Sequence, residues 1–185
     1  SVLSLVNIKT GVTTSPHLVD WVERICINKT PISKEEFQSL SLSLSPIAKK
    51  YSLTPFECVI AIALKYFTLR EVELLILEVG LGGRLDATTA HKYRPIIAFG
   101  AIGLDHCEYL GDNLEKIAIE KASVITRNST VISAKQHNIV EKVLKETAKR
   151  KQAVIKWVDP LPADWKLGLS GAIQRENAAV AKGVI

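Results

Sequence analysis

Glu73-Leu-Leu-Ile-Leu-Glu-Val-Gly-Leu-Gly-Gly-Arg-Leu-Asp-Ala-Thr88 is the stretch on which the reading of the fold turns. Its first five residues form a short apolar run of the kind that fills a strand buried on both faces of a parallel sheet. A carboxylate, Glu78, stands where that strand should end. Gly80, Gly82 and Gly83 then permit positive φ and a close approach of backbone to a ligand, and Arg84 and Asp86 add opposite charges. A buried strand followed by such a turn predicts a functional site at a strand's carboxyl end.

On either side of this stretch, strand-like and helix-like segments alternate. Lys9–Thr14 reads as a strand that Pro16 interrupts, which puts Ser15 at its edge. A loop after Trp21–Ile25 leads to Ser33, which with Glu36 predicts a capped helix to about Tyr51, although serines alternate with leucines from Ser39 to Ser45. Thr54-Pro55-Phe56-Glu57 opens a second helix, along which Val59, Ile60, Ala63, Leu64 and Phe67 recur at helical spacing. Downstream, the pattern predicts a strand over Pro95–Ile102, a helix from an Asp112–Glu115 capping box to about Ile125, and a strand over Thr130–Ala134. It continues with a helix over Asn138–Lys151, a strand over Ala153–Val158 and a small-residue helix after Gly171. Such alternation implies an α/β fold: a mostly parallel sheet flanked by helices, in a single domain spanning residues 1–185.

Composition narrows the function. The chain has 185 residues, 47% hydrophobic and 23% charged, with a net charge of +5. Lys149-Arg150-Lys151 is the tight basic cluster, and no aromatics interleave with it, which points away from nucleic acid. Cys26, Cys58 and Cys107 are odd in number and fit no C-x-x-C spacing, as expected of reduced thiols. No run approaches the roughly 18 apolar residues of a membrane span, and no signal-peptide pattern is present. The expectation is a soluble, cytoplasmic monomer that acts on small molecules. The sequence contains no methionine and opens on Ser1-Val2, so a native start is expected further upstream.

Ser15, Glu78 and His106 each fall at the carboxyl end of an expected strand, where open parallel sheets bind ligands. Hydroxyl and carboxylate oxygens suit a hard cation such as magnesium, and an imidazole beside them suits a second ion or an ordered water. Taken one at a time, each also has a plain structural reason: Glu78 as a capped strand end, Ser15 as a turn residue and His106 as a hydrogen-bonded loop histidine. Lys121 shares the stripe of Leu114, Ile117, Ala118 and Ile125 that should face the sheet. A lysine there either snorkels or, desolvated and neutral, reacts with carbon dioxide to give an anionic carbamate able to bind metal.

Glu78–Asp86, Gly103-Leu-Asp-His-Cys-Glu-Tyr-Leu-Gly-Asp112 and Glu115-Lys-Ile-Ala-Ile-Glu-Lys-Ala122, in this order and spacing, resemble the folylpolyglutamate synthase and dihydrofolate synthase family. That family belongs to the Mur-ligase-like ATP-dependent amide ligases. Thr14-Ser-Pro-His-Leu18 and Gly171-Ala-Ile-Gln-Arg-Glu-Asn-Ala178 add two weaker matches. The resemblance implies a central, P-loop-NTPase-like domain and a reaction in which ATP phosphorylates a carboxylate and glutamate displaces the phosphate. It implies ATP and Mg2+ as cofactors, with Ser15 and Glu78 on one magnesium and His106 on a second, helped by an N6-carboxylysine at Lys121. Thr54, Pro55, Phe56, Glu57, Arg84 and Asp86 would lie on the dihydropteroate or folate side, with Phe56 free to stack. Gln174 and Asn177 would contact ATP, and Ser1 would be the last residue of the phosphate loop.

The chain departs from the family pattern at both ends. Residues 1–185 include neither the glycines and lysine of the phosphate loop nor the family's smaller C-terminal α/β domain. The expectation is therefore a central domain truncated at both ends and inactive by itself. Two alternatives stand beside it: a non-catalytic remnant or binding domain of the same family, and a Mur-type peptidoglycan ligase. Against the latter stands the Leu-Gly-Gly-Arg-Leu-Asp turn, which is characteristic of the folate branch.

Overall fold

The computed structural model describes Leu3 and residues 6–185, so the position assigned to Ser1 lies outside the described residues. The chain divides into two compact units. One comprises the residues up to Leu81 together with Asp86–Ala90; the other comprises Gly82–Leu85 and His91–Ile185.

In the first unit, strand β1 (Thr10–Thr13) pairs in parallel with β4 (Leu74–Leu77) and antiparallel with β2 (Ile25–Ile27), which pairs with β3 (Thr30–Pro31). The β2–β3 hairpin takes the place of the expected loop before Ser33. Its two turn residues, Asn28 and Lys29, have φ of 47° and 74°, the positive pair that a tight hairpin turn requires. Helix α1 (Lys34–Tyr51) begins where Ser33 accepts a hydrogen bond from the Glu36 amide. Its alternating serines do not disturb it, because Phe37, Leu40 and Leu44 recur at helical spacing and pack on the core. Helix α2 (Pro55–Leu69) carries a complete capping box between Thr54 and Glu57. It presents Val59, Ile62, Ala63, Tyr66 and Phe67 to Ile25 and Ile32.

Strand β4 differs from expectation. Leu75 packs on the α2 core, whereas Leu74 and Ile76 stay 37% and 42% exposed. It is thus partly buried on one face and exposed on the other, rather than buried on both.

The second unit holds an all-parallel sheet in the order β5 (Ile96–Phe99), β6 (Thr130–Ala134), β7 (Val154–Val158). Helices α3 (Cys107–Leu110), α4 (Leu114–Ala122), α5 (Asn138–Lys151) and α6 (Ala172–Val184) complete it. Ile132 and Ala134 pack against Val180 of α6. Val131, on the opposite face of β6, and Ile117, Val140 and Leu144 of the helices are fully buried. Helix α4 starts one residue later than the expected box, because Asn113 rather than Asp112 accepts from the Lys116 amide, while Asp112 pairs with the Lys116 ammonium. It ends at Ala122, where the Ser123 hydroxyl takes the Glu120 carbonyl at 2.5 Å. Among the described residues no helix is long and apolar enough to cross a membrane.

Candidate active site

In the first unit, the carboxyl ends of β1 and β4 lie side by side, with Thr13 paired to Leu77. The residues that follow meet. The Ser15 amide donates to Glu78 Oε2 at 2.6 Å, and the Glu78 amide donates to the Thr13 carbonyl at 3.2 Å. Glu78 is exposed and Ser15 half-buried. One carboxylate oxygen is therefore fixed by backbone, and no hydrogen bond or ion pair from the described residues engages the other. A hydroxyl and an oriented carboxylate at adjoining strand ends fit a hard divalent cation, which binds through oxygen.

Ser15 leads into a loop organised by Glu23. Its carboxylate accepts from the amides of Leu18, Val19 and Asp20 at 2.9, 3.0 and 2.8 Å. These bonds, that from Leu18 foremost, hold Glu23 below the usual glutamate pKa. His17 Nδ1 accepts from Arg24 Nε at 2.8 Å, and Arg24 stacks on Trp21.

Asp86 is held within its own turn. Its Oδ2 accepts from the amides of Gly80 and Leu81, both at 3.0 Å, and its Oδ1 accepts from the Thr88 amide at 2.9 Å and the Thr88 hydroxyl. Four donors within the turn satisfy it, and the turn is built around it. Phe56 lies against Gly80 so closely that a Cβ there would come within 2.5 Å of the ring. Thr54 and Glu57 are occupied with each other: the Thr54 amide donates to Glu57 Oε2 at 2.7 Å, and that bond, with the Thr54 hydroxyl, holds Glu57 below the usual glutamate range. Phe56 and Asp86 thus meet at one turn, and Thr54 and Pro55 open the helix that carries Phe56.

In the second unit, Gly82 at φ 64° and Gly83 lie against α3 and α4: a Cβ on Gly82 would meet Leu110, and one on Gly83 would meet Val124 and the Glu120 carbonyl. Arg84 Nε donates to Glu120 Oε1 at 3.0 Å, so this arginine is held by the residue before Lys121. Lys121 is half-buried, and its ammonium has no hydrogen-bond or ion-pair partner among the described residues. His106 stands at the N-terminus of α3 with φ 50° and ψ 41°, a left-handed conformation that histidine adopts more readily than most residues. Its Nε2 lies 3.6 Å from Asp105. No hydrogen bond or ion pair joins His106 to Lys121 among the described residues, nor do three or more His, Cys, Asp or Glu side chains gather in a metal-binding group.

On α6, Gln174 is half-buried and Asn177 exposed. Asn177 Oδ1 lies beside Gly100, just past the end of β5. One residue at this strand end escaped the sequence reading. Gln136 bonds to Gly100, Ile102 and Ser133, and a lone glutamine after a strand gives no pattern by which to find it. Glu120 was missed for the same reason, being an ordinary polar residue of an amphipathic helix.

No family model matches the chain. Individual proteins do. A folylpolyglutamate synthase of Arabidopsis thaliana is 35% identical over 191 residues, a match covering 98% of this chain and 34% of that protein. A dihydrofolate synthetase of Saccharomyces cerevisiae is 35% identical over 204 residues, covering 100% of this chain and 48% of that protein. Among solved structures, a Mycobacterium tuberculosis folylpolyglutamate synthase complexed with ADP and AMPPCP superposes with a TM-score of 0.90 at 29% identity, over 99% of this chain and 49% of that one. The chain thus spans between a third and a half of the length of these relatives. Motifs, α/β architecture and whole-chain similarity agree: the chain belongs to the folylpolyglutamate synthase and dihydrofolate synthase family.

Proposed function

We propose that this chain forms the metal- and nucleotide-binding part of an ATP-dependent ligase that adds L-glutamate to dihydropteroate or a reduced folate through an acyl phosphate. The observation that carries the reading is the pairing of Ser15 with an oriented Glu78 at adjoining strand ends, in a chain similar over its whole length to both kinds of synthase. The nucleotide complex of the mycobacterial relative supports ATP as phosphoryl donor.

In this mechanism Ser15 and Glu78 would hold one magnesium by oxygen, and His106 with a carbamylated Lys121 would hold a second. Among the described residues Lys121 has no charged partner, which suits that modification, since carbamylation would exchange an ammonium for an anion. The ions neutralise phosphate charge as it develops during transfer. Asn177 and Gln174 orient the nucleotide. Asp86 sets the glycine turn, Phe56, with Thr54 to Glu57 beside it, would offer an apolar face to the pterin, and Arg84 and Asp86 would serve the folate substrate. The acting form is a cytoplasmic monomer, and the three unpaired cysteines accord with a reducing compartment.

The test supplies ATP, magnesium and labelled glutamate to the protein that carries these residues, with dihydropteroate or tetrahydrofolate bearing heavy oxygen in its carboxylate. Glutamylated product with the heavy oxygen in released phosphate is expected; phosphate free of the label excludes the acyl phosphate, and no glutamylation excludes the activity.

A further inference from the structure

The segment that leads to His106 is fastened by a side chain that the reading above leaves without a role. Strand β5 pairs with β6 through Phe99 and Ser133, and there the backbone ladder stops. Gln136 continues it. Its Nε2 donates to the Gly100 carbonyl at 2.7 Å and to Ser133 Oγ at 3.0 Å, and its Oε1 accepts from the Ile102 amide at 2.9 Å. Ser133 is fully buried and sends its own hydroxyl proton to the Ala134 carbonyl at 2.8 Å, leaving its oxygen to accept. The three bonds fix the orientation of the carboxamide: turned over, it would set oxygen against the Gly100 carbonyl and a donor against the Ile102 donor.

Beyond Ile102 the chain is exposed. Gly103, Leu104 and Asp105 make no backbone hydrogen bond among the described residues. The next fastening is α3, where the amides of Tyr109 and Leu110 donate to the His106 carbonyl at 2.9 and 3.0 Å. His106 itself holds a left-handed backbone, a conformation that persists only where its surroundings impose it. On the β5 side, among the described residues, Gln136 makes the last hydrogen bond before it.

We propose that Gln136 is a positioning residue for His106: its carboxamide adds one rung to the β5–β6 ladder and so fixes the segment that presents the imidazole. The consequence for metal binding rests on the role given to His106 under Proposed function.

The test compares Gln136→Ala, Gln136→Glu and His106→Ala with the parent chain by amide hydrogen exchange and by titration with Mn2+ followed by spin resonance. In Gln136→Ala the Ile102 amide should exchange about tenfold faster while Ile132, in the middle of β6, is unchanged. Gln136→Glu keeps the acceptor for Ile102 but sets a carboxylate oxygen against the Gly100 carbonyl, so protection at Ile102 should fall between that of the parent chain and that of Gln136→Ala. Mn2+ binding at the site lost in His106→Ala should weaken about tenfold in Gln136→Ala, the size expected when a group that orients a metal ligand is removed. Equal acceleration at Ile102 and Ile132 would show a merely structural residue and overturn the proposal, as would unchanged exchange at Ile102. Unchanged Mn2+ affinity in Gln136→Ala, with affinity lost in His106→Ala, overturns it too. If His106→Ala leaves Mn2+ binding intact while Gln136→Ala still frees Ile102, the metal role of His106 falls and the fastening stands.

Discussion

Thr13 Oγ1 is buried without a hydrogen-bond partner among the described residues, two positions before Ser15. Removing a buried hydroxyl without changing side-chain shape relieves its desolvation cost. Thr13→Val is therefore expected to raise stability by about 1 kcal/mol, read as a higher urea midpoint at constant slope. Asp86 is the opposite case, since four donors converge on it. Asp86→Ala should cost about 2 kcal/mol in the same assay, because the turn amides lose a charged acceptor; a cost near zero would return Asp86 to the status of a free ligand-binding carboxylate. Residue identities made Asp86 legible as part of a site, but its hydrogen-bond partners follow from the path of the turn, which spacing does not encode.

At the scale of elements, the ends of α1 and α2 were legible because Ser33 and Thr54 cap locally, within three residues of their partners. The β2–β3 hairpin was not, because its turn uses Asn28-Lys29 in place of the glycine that usually marks one. The short helix at Trp21–Arg24 was missed as well, although Asp20 and Glu23 form its capping box, since four residues are too few for a periodic signal. Glu23 makes that element sensitive to pH. Its folded pKa is depressed, so the clamp on the Leu18–Asp20 amides is complete above the ordinary glutamate value, about 4.3, and is lost as pH falls through the depressed value. Exchange at the Leu18 and Val19 amides, corrected for intrinsic rates, should accelerate below about pH 4, and Glu23→Gln should remove that dependence. For α2, Thr54→Ala should cost about 1 kcal/mol by loss of its cap.

Over the whole molecule, the α/β class was legible because strands and helices alternate along the chain, and period alone separates them. The division into two units was not, for its boundary falls inside the glycine stretch: Gly80 and Leu81 bond to Asp86, whereas Gly82 and Gly83 pack on α3 and α4. Those are contacts of backbone, which carry no hydrophobic pattern. Magnesium offers a test of what the first unit is for. A ligand that binds the folded chain alone stabilises it by mass action, so magnesium at ten times its dissociation constant should add about 1.4 kcal/mol. For a chain of this length that corresponds to a rise of about 3–6 °C in the thermal midpoint. Glu78→Ala should shrink the rise to the part that the His106 and Lys121 site contributes, since it removes the oriented carboxylate, whereas Glu57→Ala, which loses a carboxylate committed to the α2 cap, should lower the baseline midpoint and leave the magnesium increment intact. An increment of unchanged size in Glu78→Ala would remove the metal from the ends of β1 and β4.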